Sequence, residues 1–160
     1  MDYLWTPWRF QYVSAAPATE CLFCVKAAAR QDEEHLVVHR AAHSFVVLNA
    51  YPYTSGHLMV APYAHVASLE EADEEALTEM MHLARQAEKH LRFLYRPRGL
   101  NVGFNIGECA GAGVADHLHM HVLPRWPGDT SFVTTIGETR IVPEDLAQTY
   151  EKLSRAFRGN

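Results

Sequence analysis

The sequence predicts an α+β fold: an antiparallel sheet of about five strands, with one long helix and a C-terminal helix. Three observations carry this. Short apolar runs of strand length stand on both sides of a single long run with helical periodicity. The βαβ alternation that builds a parallel sheet is nearly absent. The length, 160 residues, suits one domain at roughly 150 residues per domain.

Residues 1–20 read as an irregular arm, rich in aromatics and then in small residues, with Trp5 and Trp8 placed to pack on a body formed by residues 21–160. CLFCVKAAARQD (21–32) has the composition of a short helix. Leu36–His39, Ser44–Asn49 and His57–Pro62 are strand-length apolar runs, the last two separated by AYPYTSG, which is turn chemistry. Leu69, Ala72, Ala76, Met80, Leu83, Ala84, Ala87, Leu91 and Leu94 recur at three- and four-residue steps, which is the long helix. Ser68 and Glu71 have capping-box spacing at its start. Glu70, Glu71, Asp73, Glu74 and Glu75 suit the positive end of its dipole, and Pro97 requires it to stop near Tyr95. GLNVGFNI (99–106) is strand-like, GECAGAGVAD is a flexible loop, and HLHMHVLPR is strand-like again. Val133–Ile136 has the length of a short strand. Pro143 suits the first position of a last helix ending at Phe157.

Composition excludes several classes. The chain has 14 basic and 19 acidic residues, a net charge of −5. That does not suit non-specific nucleic-acid binding, which rests on phosphate neutralisation by Lys and Arg. No apolar run approaches the roughly 18 residues of a membrane span. The N-terminus lacks the apolar core of a signal peptide, so a soluble, cytoplasmic protein is expected, with mean hydropathy −0.17. Three cysteines do not make a disulfide framework. Cys21 and Cys24 form a C-x-x-C, open to three readings: half of a zinc site completed by His, a redox dithiol, or two buried thiols. Cys109 reads as a bystander.

Ten residues are His, and three of them, His117, His119 and His121, alternate with Leu118 and Met120. Alternation in a strand puts the three imidazoles on one face, with Cα atoms about 6.6 Å apart, and the apolar residues on the other. Such a face could bind a metal through His-x-His. It could equally supply a nucleophile, because an imidazole with a pKa of about 6.5 is largely neutral at cytoplasmic pH and can attack phosphorus. His35, His39, His43, His82 and His90 carry no comparable pattern and read as surface or packing residues.

HLHMHVL fits His-φ-His-φ-His-φ-φ, with φ apolar, and resembles the signature of the histidine triad (HIT) family of nucleotide hydrolases and transferases. LNAYPYTSGHLMVAP is similar to that family's ribose-binding strand–turn–strand, and GLNVGFNIGECAGAG to its strand and phosphate loop. Within the family the chain most resembles the bacterial diadenosine-tetraphosphate phosphorylase group. It shares with that group a Leu-Trp-x-Pro-x-Arg opening (Leu4, Trp5, Pro7, Arg9), Asn-x-Tyr-Pro-Tyr (Asn49, Tyr51, Pro52, Tyr53) and Pro-Arg-Trp-x-Gly-Asp (Pro124, Arg125, Trp126, Gly128, Asp129).

The resemblance implies a HIT-like fold and cleavage of diadenosine polyphosphates or related nucleotide conjugates through a nucleotidyl-histidine. His119 would be the nucleophile, His121 would meet phosphate and leaving-group oxygens, and the backbone carbonyl of His117 would orient His119. Nucleotide contacts are implied for Asn49, His57, Asn105, Gly111, Ala112 and Gly113. From the residues alone, Asn49 and Asn105 fit turn capping as well. A structural zinc on Cys21, Cys24, His65 and His117 is implied, as is a homodimer. One departure stands out: where relatives place Ser, Thr or Gln-Ser ahead of the triad, this chain has Ala112, Gly113 and Val114. Phosphate and water therefore both stay open as the final acceptor. A catalytic zinc on the His-x-His strand, a nucleoside phosphoramidase and a regulatory nucleotide-binding protein are the competing readings.

Overall fold

The computed structural model describes residues 20–130, 134 and 142–159. In chain order its elements are α1 (Leu22–Ala28), β1 (Val37–Arg40), β2 (Ser44–Leu48), β3 (Leu58–Pro62), α2 (Glu74–Tyr95), β4 (Gly99–Phe104), a 3₁₀ turn (Glu108–Ala110), β5 (Met120–Arg125) and α3 (Leu146–Phe157). The five strands form one sheet in the order β1-β2-β3-β5-β4, and every neighbouring pair is antiparallel. This is the α+β architecture that the sequence predicts. The expected arm with Trp5 and Trp8, and the expected Val133–Ile136 strand apart from Thr134, lie outside the described residues.

Alternation explains which side chain goes where. Val46, Leu48, Leu58, Val60, Met120 and Val122 face α2 and pack on its Met80, Leu83, Ala84, Ala87 and Leu91, with Leu153 of α3 joining them. Phe45, Val47, Met59 and Ala61 point the other way and pack on Val37 and on Phe23 of α1. Both faces of β2 and β3 are therefore covered, which is why these strands read as unbroken apolar runs. Leu91 is fully buried; its truncation to Ala would cost about 2–5 kcal/mol. The short α1 covers only part of the second face. Beyond it, at β4 and β5, no helix among the described residues covers that face, and a groove forms there.

Two helix starts differ from expectation. The long helix begins at Glu74, with Asp73 at the N-cap position, rather than at Ser68. The Val66 carbonyl accepts the Leu118 N–H at 2.7 Å, which ties this segment to the approach of β5. Residues 67–72 must then travel from the sheet to the helix, and Glu71 accepts the Ala67 N–H at 2.8 Å instead of capping a helix at Ser68. The last helix begins at Leu146, not Pro143. Asp145 caps it by accepting the Gln148 N–H at 2.8 Å, while Glu144 is drawn away to Tyr95 Oη at 2.5 Å and Thr149 Oγ1 at 2.9 Å. The end of α2 is where Pro97 requires it: Arg96 turns left-handed, with φ 46°.

Candidate active site

The triad sits at the entrance to β5. Strand pairing begins only at Met120, so His117 and His119 precede the strand and His121 lies in it. The Leu118 N–H goes to Val66 rather than to a sheet neighbour, which is why pairing starts late. The rings nevertheless follow one another closely: His119 and His121 have centroids 5.0 Å apart. Phe23 lies against both His117 and His119, at 5.1 and 4.8 Å.

What stands behind each ring decides what it presents. His117 Nε2 lies 2.9 Å from the Pro62 carbonyl. A carbonyl only accepts, so the proton is on Nε2 and the Nδ1 lone pair faces the other way. There it meets Cys21 Sγ at 3.3 Å and Cys24 Sγ at 3.7 Å, while His65 Nδ1 lies 3.3 Å from Cys24 Sγ. The four ligand atoms all lie within 4.8 Å of one another. Tetrahedral zinc, with bonds of about 2.3 Å to sulfur and 2.0–2.1 Å to nitrogen, sets its ligand atoms about 3.3–3.8 Å apart. The donor set and the His117 tautomer therefore fit a closed structural zinc site. Burial, together with the adjacent Cys21, pushes the Cys24 thiol up. That is the reverse of a reactive redox thiol, and it is what two close sulfurs do when no cation neutralises them.

His119 is turned the other way round. Its Nδ1 lies 2.8 Å from the His117 carbonyl oxygen, so Nδ1 carries the proton and Nε2 keeps the lone pair. Burial pushes its pKa below the ordinary imidazole value, and it is 4% exposed. A neutral ring with a lone pair on Nε2 is a nucleophile at neutral pH. His121 is pushed down to about 4, first by burial and then by His119. Among the described residues the three triad rings do not converge as a ligand set; the one converging group is Cys21, Cys24, His65 and His117.

A groove of about 480 Å³ opens beside the triad, lined by Asn105, Gly103 and Asn101 and by their β5 neighbours His121, Leu123 and Arg125. Of the expected nucleotide contacts, Asn105 lines this groove; Asn49, His57 and Gly111–Gly113 do not. Asn49 Oδ1 accepts the Tyr51 N–H at 2.9 Å, so it does form the turn-capping bond. His57 is 1% exposed and stands behind His121, its Nε2 2.9 Å from His121 Nδ1. In the loop expected to cradle phosphate, the Ala110 and Ala112 N–H groups donate to the Gly107 carbonyl, and that of Gly111 to the Glu108 carbonyl. Gly111 itself needs a left-handed backbone, φ 87°.

Two features were not legible as site elements. One is Phe23, which in sequence is simply an apolar residue between two cysteines. The other is the clamp closing the far end of the groove: Arg125 donates to both carboxylate oxygens of Asp129, at 2.6 and 2.8 Å, and to Asn101 Oδ1 at 2.7 Å. The guanidinium holds the Asp129 carboxyl well below the usual carboxylate range. The Arg-x-x-x-Asp spacing in PRWPGD is the signal that could have found it.

A five-stranded antiparallel sheet carrying three alternating histidines beside an open groove defines a histidine-triad protein. Residues 30–128 match the family described as the HIT domain. The chain belongs to the HIT family and is an enzyme of it. It is 40% identical over 159 residues to "AP-4-A phosphorylase" of Mycobacterium tuberculosis, a match covering 94% of this chain and 82% of that one. Among solved structures it resembles a Zn-bound histidine triad family protein from Mycobacterium smegmatis, with TM-score 0.70 and 25% identity over 88% of this chain and 94% of that one. It also resembles a hypothetical histidine triad nucleotide-binding protein from Sulfolobus tokodaii, with TM-score 0.64 and 29% identity over 87% and 90% of the two chains.

Proposed function

We propose that this protein cleaves diadenosine polyphosphates through a nucleotidyl-His119 intermediate and passes the nucleotidyl group to inorganic phosphate. The observation that carries this is the His119 environment. A buried, neutral ring donates its Nδ1–H to a carbonyl and keeps the Nε2 lone pair for attack. In the first step a bond forms from Nε2 to the α-phosphorus as the bond from that phosphorus to the bridging oxygen breaks. In the second step a phosphate oxygen attacks the same phosphorus and the P–N bond breaks, releasing ADP and the neutral ring. Asn105, which lines the groove, would meet the α-phosphate; a ribose contact from Asn49 would have to form beside its bonds to Tyr51 and His57. The phosphorylase relative from M. tuberculosis supports phosphate as the acceptor.

Cys21, Cys24, His65 and His117 would hold a zinc ion that joins α1 to the entrance of β5. With four protein ligands it has no open position and is structural. A homodimer is part of the same reading; β4 is an edge strand of the sheet and Val102 on it is half exposed.

Incubation with diadenosine tetraphosphate, with and without phosphate, tests the reaction. ADP plus ATP formed only with phosphate is the expected result; AMP plus ATP would mark water as the acceptor. Rapid acid-free quenching should trap one nucleotidyl group per active site on His119. A protein that turns substrate over with no such adduct would overturn the covalent reading.

A further inference from the structure

We propose that His57 is the positioning residue that holds His121 as an Nε2–H donor, so that the two neighbouring rings His119 and His121 are locked in opposite tautomers. This rests on the reading of His119 as nucleophile for its consequence, but not for its geometry.

The argument starts from a group that can only donate. The Tyr53 backbone N–H lies 3.1 Å from His57 Nδ1, so Nδ1 must accept. A second donor agrees. Asn49 Oδ1 is fixed by accepting the Tyr51 N–H at 2.9 Å, which orients the amide and turns its NH₂ toward His57 Nδ1 at 3.3 Å. With Nδ1 accepting, the single proton of neutral His57 sits on Nε2. A second proton would set N–H against N–H, so the ring is held neutral as well as oriented.

His57 Nε2–H then donates to His121 Nδ1 at 2.9 Å. His121 Nδ1 therefore bears a lone pair, and its own proton is on Nε2, on the side of the ring away from His57, in a residue that lines the groove. The chain of bonds runs from a peptide N–H through two imidazoles to a donor at the groove wall. His119, whose Nδ1 lies 2.8 Å from the His117 carbonyl oxygen, ends with the opposite face: a lone pair on Nε2.

The relay is rigid. Gly56, with φ +81°, brings the chain so close to α2 that an added Cβ would lie 2.9 Å from Leu91 Cδ2. Thr54 Oγ1 donates to the Pro124 carbonyl at 3.0 Å, fastening the turn to β5. A donor held in advance where negative charge gathers on the departing oxygens stabilises the transition state without reorganisation. A lone pair in the same place would repel those oxygens. No proton needs to leave His121 for this.

Nitrogen NMR of the full-length protein with labelled histidine tests the assignment directly, since each ring nitrogen reports whether it carries a proton. The wild type should show His119 protonated on Nδ1 and His121 on Nε2. In His57→Phe, His121 should lose its single tautomer and kcat should fall on the order of 10- to 100-fold, with KM changed little. His57→Gln keeps an amide NH₂ within reach of His121 Nδ1 and should restore the Nε2–H form and most of kcat. Two results would overturn the proposal: His121 protonated on Nδ1 in the wild type, or an unchanged tautomer in His57→Phe. Should that variant not fold, the wild-type spectrum and the Gln variant still decide. If the tautomers are as assigned but no nucleotidyl-His119 is trapped, the relay stands and the covalent reaction fails; the converse pair of results sinks the relay alone.

Discussion

The two ends of the triad are built from the same residue type and do opposite things. At the His117 end the ring leans on the Pro62 carbonyl and turns its Nδ1 lone pair toward two cysteines and a second histidine. At the His121 end the ring leans on His57 and meets the groove. One end is fitted to a cation; the other, on the proposed reading, meets phosphate oxygens. Neither assignment lies in the histidines themselves. It lies in the group behind each ring, because an imidazole with one nitrogen committed has only one choice left for the other. Between them His119 uses a carbonyl on its Nδ1 side and is left with a nucleophilic nitrogen.

The comparison breaks most severely at the middle ring. His119→Ala should lower kcat by on the order of 10³-fold or more, because the bond-forming atom is gone. Steady-state product formation and loss of the trapped adduct measure it. His57→Phe comes next, through His121, as set out above. At the other end Cys24→Ser should empty the metal site. Zinc content per chain should fall, the unfolding midpoint should drop because a ligand of the folded state is lost, and kcat should fall by about 10-fold through displacement of α1. A midpoint drop without any change in kcat would confine that corner to stability and separate the two ends fully.

How much of this could be read in advance differs between the same two ends. The strands were legible, since Val46/Leu48 and Phe45/Val47 alternate on a sheet covered on both faces. The triad was legible because its spacing is two. Half of the metal corner is legible in the C-x-x-C, but its His partners come only by resemblance: Cys24 and His117 stand 93 positions apart, and no local pattern joins them. The His57–His121 bond spans 64 positions and leaves no local trace, so the sequence does not show that His57 stands against His121. The start of α2 at Glu74 departs from the local pattern for a related reason. The Ser68/Glu71 pattern is a sound local signal, but one long-range bond between Val66 and Leu118 outweighs it.

Phe23 links the two ends and sharpens the contrast. It lies between the cysteines in sequence and against His117 and His119 in space, with 1% exposure. Phe23→Leu keeps the apolar character but loses the flat ring surface. It should cost about 1–1.5 kcal/mol of stability, read as a shift in urea midpoint, and should lower kcat a few-fold with zinc content unchanged. Full activity at a lowered midpoint would make Phe23 core packing and nothing more.

The smallest effect expected is the absence of one. Burial, reinforced by His119, holds the His121 pKa down to about 4, and burial also lowers those of His117 and His119. An ordinary imidazole with pKa about 6.5 would be roughly 90% protonated at pH 5.5. His121 should still be neutral there, and the burst of nucleotidyl-enzyme formation from diadenosine tetraphosphate should show no loss from its protonation between pH 8 and 5.5. Stability should behave differently. Between the folded and unfolded pKa values the unfolded chain binds more protons, so stability rises with pH across that range and is lost as pH falls below about 6.5. The unfolding temperature should therefore decline toward pH 5 while the burst rate holds. An inflection in the burst near pH 6.5 would mean that at least one triad ring is far more open to water than its contacts with Phe23, His57 and the carbonyls allow.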